Sequence, residues 1–337
     1  MHIFDYENEP AELLTPEIVR LLTRVHEHRG AQQLLLEQYG DRLIPLRTAA
    51  ERQSDRAAAM EDETYRGALE EIRSHFDRMV PSPALARTLH AKLFPENGGR
   101  YRDSDTVIRG TDSWGDGRVR FYPCKAERIE PAMRELFAAA EHALNTERHD
   151  ALLLIAQFVI DFLSIHPFAD GNGKTAWLLQ TLLLYRAGYY ICAYVSLERL
   201  IEESEDIYQE ALQYSSIFWQ DSTNSYEPFA AYFLQLLDRA YLQFARQTSY
   251  LLEEKQSKAE RIRDMILNWN GPVTKRQIRE QYPDIAVVTI ERTLTSMVKE
   301  GILAKTGGGP STAYISVKDA PHLKAAGSKP VSGAGLE

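Results

Sequence analysis

The stretch HPFADGNGK, from His166 to Lys174, interrupts the most hydrophobic region of this chain. It follows an apolar run from Leu152 to Ile165 and precedes TAWLLQTLLLYRA, which is apolar on nearly all sides. A helix that is apolar all round is buried, whereas Gly and Asn favour turns and left-handed conformations. The pattern therefore predicts a glycine-rich loop that opens a buried helix, with Gly188 as the residue that ends the helix.

The residue types in this loop are suited to binding phosphate. Backbone N–H groups at the start of the helix and the helix dipole point at one spot, which favours anions. Lys174 adds positive charge there, and Asp170 supplies an oxygen ligand suited to Mg²⁺, which normally accompanies polyphosphates. His166 precedes the loop, where an imidazole can take a proton from a hydroxyl group. Together these residues predict transfer of a group from a nucleotide to an alcohol.

The composition of the chain limits the class of protein to which it can belong. The 337 residues, 44% of them hydrophobic, fit two to three globular domains, and the net charge of −9 argues against a generally basic nucleic-acid binder. Cys124 and Cys192 belong to no CxxC or Cys/His cluster, which favours a reducing compartment and gives no metal signature. The N-terminal residues lack an apolar signal core, and the apolar run before His166 is too short to span a bilayer. We therefore expect a cytoplasmic protein without a membrane partner.

Helical patterns dominate the chain as far as about residue 250. Thr15-Pro16 is a cap followed by a first-turn proline, and it predicts a helix that is followed by a separate second helix over about residues 31–39. Two β-prone runs around TDSWGDG predict one hairpin between Thr106 and Tyr122. The remaining helices are expected at about residues 47–60, 64–80, 131–145, 150–165, 175–187 and 205–214, and from residue 227 onward.

The pattern changes after about residue 250. An amphipathic helix, two further helices and two β-prone runs around a glycine-rich tip follow in the order of a winged helix-turn-helix. The tail is rich in Ala, Gly, Ser and Pro and predicts disorder. The expected fold is mainly α, a helical bundle with one β-hairpin plus a C-terminal winged helix-turn-helix domain. The expected division is an N-terminal helical region over residues 1–80, a core over 81–250, the winged helix over 251–317 and a flexible tail over 318–337.

The loop resembles the signature of the Fic family, which reads His-Pro-Phe-x-Asp/Glu-Gly-Asn-Gly-Arg followed by x-x-Arg. The stretches LHAKLF, GGRYRDSDTVIRG and FYPCKAERIEPAMREL also look like that family's core, in the expected order. The resemblance covers about residues 10–240, and an appended winged helix is common in the family. It implies a Fic-like helical bundle with a hairpin flap and an N-terminal region of the inhibitory type.

The resemblance implies that the protein is an adenylyltransferase with ATP as substrate and Mg²⁺ as cofactor. His166 would be the base that deprotonates a Ser, Thr or Tyr hydroxyl of a target protein, or of the chain itself. Asp170 would hold Mg²⁺ on the α- and β-phosphates, Phe168 would anchor the loop in the core, and Asn172 would help to cradle the phosphates. AMP would be transferred and pyrophosphate released. The implied nucleotide-binding residues are Gly171, Asn172, Gly173 and Lys174.

The resemblance also implies how partners would be held. The flap, through Ile108, Arg109 and Gly110, would hold the target segment by strand addition. Oligomerisation can control access to the inhibitory helix in this family, so a homo-oligomer is a further implied partner.

The chain departs from the family pattern at two basic positions. Lys174 replaces the first arginine and loses its planar fork, and Trp177 replaces the second, which in the family contacts the γ-phosphate and pairs with an inhibitory glutamate. In the matching stretch AAAMEDETY, Glu61 falls on that glutamate, but Ala57 and Asp62 replace its expected neighbours. We expect the usual autoinhibition to be lost or rewired. A strong rise in target modification in Glu61→Gly, measured with labelled nucleotide, would contradict this expectation.

Other interpretations stay open from the residues alone. Asp170 can simply cap the following helix, Glu61 can lie on a solvated helix face, and Tyr208 can be a core residue rather than an adenine contact. Eleven Lys and Arg residues stand against seven acids from Gln256 to Ala326, which favours DNA binding by the winged helix, although such domains also bind proteins. The alternative functions are a non-enzymatic nucleotide-binding regulator acting through DNA and a transferase for another phosphate-linked group. The candidate DNA contacts are Lys275, Arg276, Arg279 and Arg292.

Overall fold

The chain is mainly helical and divides into two compact units, Met1–Thr248 and Ser249–Glu337. The computed structural model describes residues 2–7, 13–58, 64–109, 119–146, 148–255, 257–267, 269, 271–308 and 312–317. The predicted tail over residues 318–337 lies outside the described residues. The division of the chain into four parts remains a prediction.

Ten α-helices and one short hairpin are described in the part of the chain from residue 2 to residue 255. The helices are α1 (Pro16–Tyr39), α2 (Ile44–Ala57), α3 (Thr64–His75), α4 (Pro83–Leu93), α5 (Ile129–Thr146), α6 (Ala151–Ile165), α7 (Asn172–Arg186), α8 (Leu197–Glu202), α9 (Glu205–Ser216) and α10 (Glu227–Lys255). The hairpin strands are β1 (Ile108–Arg109) and β2 (Val119–Phe121), between α4 and α5.

The first helix is longer than the sequence predicts. Thr15 caps α1 because its Oγ1 accepts the N–H of Ile18 at 3.3 Å. The prediction of a separate helix from Ala31 is wrong, because α1 continues through Gly30 to Tyr39. Gly30 is exposed, and a glycine inside a helix costs only about 1 kcal/mol relative to alanine. Burial of the apolar stripe of α1 offsets that cost.

The helices on either side of the loop form the centre of the first unit. In α6, 13 of the 15 residues are buried, and this helix packs against both α5 and α7. Asp161 is fully buried in α6, where its carboxylate accepts hydrogen bonds from Tyr6 at 2.5 Å, Trp219 at 2.7 Å and Tyr226 at 2.9 Å. Asp161, a charged residue within the apolar run, is therefore a satisfied core carboxylate. Among the described residues, no helix has the length and apolarity needed to cross a membrane.

A second buried carboxylate ties α2 and α3 to α8. Glu198 is 4% exposed and accepts hydrogen bonds from Ser54 at 2.6 Å, Tyr65 at 2.8 Å and Ser196 at 3.1 Å. Burial, with the nearby charge of Glu198, raises the pKa of Tyr65, so its hydroxyl remains a donor. Hydrogen bonds of this kind make a buried charge tolerable. The network holds Tyr65 in place on the side of α3 that meets α7.

The predicted hairpin is present. Strands β1 and β2 are antiparallel, and Ile108 faces Phe121 while Arg109 faces Val119. The residues between the strands, Gly110 among them, lie outside the described residues.

The second unit has the predicted order of elements with one addition. Its elements are α11 (Lys258–Leu267), β3 (Val273–Thr274), α12 (Lys275–Gln281), α13 (Val287–Lys299), β4 (Leu303–Thr306) and β5 (Ala313–Ser316). The strands form an antiparallel sheet in the order β3-β5-β4. Strand β3 was not predicted, because two residues are too few to show alternation. A capping box of Thr274 and Gln277 then starts α12. The interpretation of this unit as a winged helix remains a prediction.

Candidate functional site

Two left-handed residues frame the loop between α6 and α7. His166 ends α6 with φ 51° and ψ 60°, and Gly171 precedes α7 with φ 72° and ψ 9°. The left-handed conformation costs a residue with a side chain about 1–2 kcal/mol, whereas glycine adopts it freely. A Cβ on Gly171 would also lie only 2.1 Å from the ring of Phe94. Glycine is therefore required at position 171, both by the backbone conformation and by the close approach of Phe94 at the end of α4.

The side chain of Asn172 closes the loop on itself. Its Oδ1 accepts the N–H of Phe168 at 2.9 Å, and its Nδ2 donates to the carbonyl of Phe168 at 2.8 Å. Asn172 is buried, and Phe168 is fully buried in the core. The amide of Asn172 therefore holds the loop in shape, and its role as a phosphate contact remains a prediction.

A histidine from α4 supports the loop from outside it. Nδ1 of His90 accepts the N–H of Gly99 at 2.9 Å, so Nε2 carries the proton and donates to the carbonyl of Asp170 at 2.9 Å. The ring stacks on Phe168 with centroids 3.8 Å apart. Burial lowers the pKa of His90, which keeps it in this neutral form. The sequence analysis missed His90, because nothing local links it to a loop 80 residues away.

Arg102 is a second supporting residue that the sequence analysis missed. It is buried, its Nε donates to the carbonyl of His166 at 2.8 Å, and its backbone N–H donates to the carbonyl of Pro167 at 2.9 Å. It therefore fixes both residues at the start of the loop. It stands in GGRYRDSDTVIRG, but His166 and Pro167 are more than 60 residues away.

His166 is held in the neutral form. Its pKa is lowered to about 4, chiefly by burial and next by the positive charge of Arg102, while the Leu163 carbonyl and the Asp170 carboxylate act in the opposite direction. Nδ1 is buried, which leaves Nε2 as the nitrogen that can face a substrate. A neutral imidazole with one accessible nitrogen can accept a proton at physiological pH.

A cavity of about 240 Å³ opens beside His166. It lies between the hairpin, the end of α6, the start of α7 and one face of α9. This volume is just below the lower end of about 300 Å³ for small-molecule sites, so it can take part of a nucleotide. The lining residues are Ile108, Arg120, Phe121, Ile160, Leu163, Ser164, His166, Gly173, Tyr208, Gln209, Leu212, Gln213 and Ser216.

Some of the predicted site residues line the cavity, and others lie on the loop and the first turn of α7. His166 and Gly173 share the cavity with Ile108 of the hairpin. Asp170 is exposed on the loop, and its Oδ1 accepts the N–H of Gly171 at 2.7 Å. Lys174 is half-buried in the first turn of α7. Within the described residues, no cluster of three or more His, Cys, Asp or Glu side chains could hold a metal ion by itself. A cation at Asp170 would therefore need phosphate oxygens as further ligands, which is the usual situation for Mg²⁺.

Trp177, which the resemblance aligns with the second arginine of the Fic signature, makes an aromatic contact. Its ring meets Tyr65 of α3 edge to face, with centroids 6.5 Å apart. The Glu198 network holds Tyr65 from the other side. Glu61, the predicted inhibitory residue, lies outside the described residues, so its role remains a prediction.

The candidate DNA contacts in the second unit are partly neutralised. Lys275 pairs with Glu291 at 2.7 Å, and Arg276 pairs with Glu280 at 2.8 Å. Arg279 and Arg292 are exposed. DNA binding by these four residues remains a prediction, and the pairing of Lys275 and Arg276 with acids does not favour it.

Sequence comparison places this site in a known family of domains. Residues 80–184, which run from the start of α4 into α7, match the Fic/DOC family. The chain is similar to "Protein adenylyltransferase Fic" of Drosophila mojavensis, with 31% identity over 108 residues, and these cover 31% of this chain and 19% of that protein. It is also similar to "Probable protein adenylyltransferase y4lH" of Sinorhizobium fredii, with 39% identity over 107 residues, which cover 31% of this chain and 52% of that protein. The chain thus spans about a fifth of the first relative and about half of the second.

Comparison of folds extends the likeness beyond the domain. A Fic family protein from Desulfovibrio desulfuricans G20 has a TM-score of 0.54 and 21% identity, over 92% of this chain and 98% of that chain. A Fic domain containing signaling protein from Bacteroides thetaiotaomicron has a TM-score of 0.52 and 16% identity, over 72% of this chain and 100% of that chain. At these identities the likeness concerns the fold alone. Residues 80–184 of this chain therefore match the Fic/DOC family, and the chain has the fold of these two Fic proteins.

Proposed function

We propose that this protein transfers AMP from ATP, or the monophosphate of another nucleoside triphosphate, to a Ser, Thr or Tyr hydroxyl of a target protein, which can be the chain itself. The observation that carries the proposal is that His166 and Gly173 line one cavity. A neutral imidazole and the N-terminus of a buried helix thereby open on the same space. The names of the relatives, protein adenylyltransferases, support the same reaction.

His166 acts as the general base. Its neutral Nε2 accepts the proton of the target hydroxyl while the hydroxyl oxygen attacks the α-phosphorus of the nucleotide. The bond between the α-phosphorus and the bridging oxygen breaks, and pyrophosphate leaves with the electron pair. An imidazole with a pKa of about 4 is a weak base in the free protein. The negative charge of a bound triphosphate raises the pKa of a neighbouring imidazole, which strengthens the base when substrate is present.

The start of α7 binds the phosphates. Asn172 and Gly173 are in its first turn, whose N–H groups lie at the positive end of the helix dipole. Lys174 adds a point charge, which attracts a phosphate without the two-point grip of an arginine. The residues present fit Mg²⁺, because one exposed carboxylate, that of Asp170, stands at the phosphate end of the loop. When bound, Mg²⁺ would neutralise charge on the phosphates.

The cavity accepts the nucleoside, and the hairpin accepts the target. Tyr208, Gln209 and Gln213 of α9 offer one aromatic ring and two amides to a base. Among the described residues β1 pairs with β2 in a two-stranded sheet, and an extended target segment would join this hairpin by strand addition. Ile108 lines the cavity, so a segment held there would lie close to His166.

Labelling with two forms of ATP tests the proposed reaction. The full chain is incubated with Mg²⁺, a cell lysate and ATP labelled on either the α- or the γ-phosphate. Kinases in the lysate transfer the γ-phosphate, so labelling is compared with lysate to which the chain has not been added. We expect additional labelling from the α-label only, because the γ-phosphate leaves with pyrophosphate. Competition by unlabelled CTP, GTP and UTP identifies the preferred donor. Additional label from γ-labelled ATP alone would indicate phosphate transfer by the chain and contradict the proposal, as would the absence of additional label from all four nucleotides.

The ring of His166 is expected to stay neutral down to about pH 4. Its charged and titratable neighbours are Arg102 and Asp170 at the loop, and Arg120 and Tyr208 across the cavity. The unfolded chain binds this proton near pH 6.5, whereas the folded chain binds it near pH 4, so His166 reduces stability as the pH falls through that window. NMR titration of the histidine rings checks this, with the His166 signal assigned by its loss in His166→Asn. A midpoint near 6.5 in the folded protein would contradict the predicted environment.

A further inference from the structure

One buried guanidinium group joins the catalytic loop to both ends of the flap. Arg102 is 7% exposed and donates to four backbone carbonyls. Two of these, those of Ile165 at 3.3 Å and His166 at 2.8 Å, belong to the junction of α6 and the loop. The other two belong to Ser104, just before β1, at 2.8 Å, and Cys124, just after β2.

The position of Arg102 suits its charge. All four acceptors of the guanidinium are carbonyls, and that of Ile165 is at the C-terminal end of α6, where the helix dipole is negative. A cation at a helix C-terminus is stabilising, more so in a partly buried setting. Three backbone hydrogen bonds hold the same region. The N–H of Arg102 donates to the carbonyl of Pro167, and the N–H of Cys124 donates to the carbonyl of Ser164 at 3.1 Å. The N–H of His166 donates to the carbonyl of Phe162 at 3.0 Å.

The hydrogen bonds of Arg102 act at a residue whose backbone is strained. His166 is a non-glycine residue in the left-handed region, a conformation that persists only when surrounding contacts over-determine it. Arg102 holds the carbonyl of His166 itself and that of the next residue, Pro167. The direction of the His166 side chain depends on the peptide groups before and after it, and Arg102 bonds the carbonyls of both, those of Ile165 and His166. The same guanidinium fixes where the two strands of the hairpin leave the body of the unit.

We propose that Arg102 is a positioning residue for the transfer reaction: it sets the distance between the flap that presents the target hydroxyl and the imidazole that deprotonates it. This inference rests on the proposed function. A displacement of about 1 Å in such an arrangement costs on the order of 10²-fold in rate. Arg102 contacts neither the nucleotide-binding turn of α7 nor the α9 side of the cavity through its hydrogen bonds, so nucleotide affinity should not depend on it.

The test compares Arg102→Lys, Arg102→Gln and the control Arg100→Gln in the full chain. Lysine keeps the charge but cannot reach four carbonyls with a planar fork, and glutamine loses both charge and fork. Arg100 is exposed two residues away, so its replacement removes the same charge without touching the loop. We expect kcat to fall about 10²-fold in Arg102→Gln and less in Arg102→Lys, with KM for ATP little changed in both. Arg100→Gln should match the wild type.

A measurement without substrate separates this inference from the proposed function. Because Arg102 lowers the pKa of His166, Arg102→Gln should raise the midpoint of the His166 ring in NMR titration, and Arg100→Gln should not. A moved midpoint together with a lower kcat supports the inference. If the wild type transfers no nucleotide, the proposed function fails, and an unmoved His166 signal in Arg102→Gln would then overturn the positioning role as well. If thermal unfolding shows that Arg102→Gln does not fold, a wild-type kcat in Arg102→Lys overturns the inference.

Discussion

Replacement of His166 by asparagine is expected to slow nucleotide transfer by about 10²–10⁴-fold, the usual contribution of a positioned general base. Asparagine tolerates the left-handed conformation that His166 adopts, so this variant removes the base with little added strain. The N–H groups at the start of α7 remain, and ATP affinity should stay close to that of the wild type. Single-turnover labelling measures the rate, and calorimetric titration with ATP and Mg²⁺ measures the affinity.

Two further variants complete this comparison. His166→Ala should lose transfer to the same extent, and any extra loss of stability would come from alanine in a left-handed position. His75→Ala is the control, because His75 is exposed at the end of α3. Transfer at the wild-type rate in both His166 variants would show that another group takes the proton.

Replacement of Gly171 by alanine is expected to lower the free energy of unfolding by about 2–5 kcal/mol and to abolish transfer. Part of the loss comes from a φ of 72°, which alanine adopts poorly. The rest comes from the ring of Phe94, which must move because a Cβ would lie 2.1 Å from it. That ring also lies 4.9 Å from His90, which holds the loop, so its movement would disturb the carbonyl of Asp170.

Urea unfolding of matched glycine variants checks this prediction. Gly67→Ala is the control, because Gly67 is exposed in α3 and a Cβ there would meet nothing within 4 Å. Its stability should stay the same or rise by up to about 1 kcal/mol. The double variant Phe94→Ala/Gly171→Ala should lack the steric clash with the ring. The loss of unfolding free energy that comes from the positive φ should remain. Equal stability of Gly171→Ala and Gly67→Ala would contradict the predicted strain.

The sequence predicts the parts of this site that local pattern controls. The glycines and Asn172 mark the loop, and the apolar run on each side marks two buried helices, because turn chemistry and helical periodicity are both read over a few residues. The extent of α1 was missed at Gly30, since packing of the apolar stripe outweighs the propensity of one residue.

The residues that support the site could not be predicted in the same way. His90 and Arg102 act on carbonyl groups 80 and 64 positions away, and a backbone carbonyl carries no signature in the sequence. Both lie in stretches that resemble the family's core, but the resemblance gives no geometry. For Asn172 the sequence predicts the place of the residue in the loop but not the partner of its side chain, which bonds the backbone of Phe168.

Peptide-level mass spectrometry tests the central claim most directly. The full chain, and separately His166→Asn, is incubated with ATP, Mg²⁺ and a lysate, and modified peptides are searched for an added nucleotide monophosphate. We expect AMP, or the monophosphate of the donor selected in the competition experiment, on Ser, Thr or Tyr residues in the wild-type reaction only. No nucleotide adduct with any of the four triphosphates, or in its place a single phosphate that appears only when the chain is added, would contradict this claim.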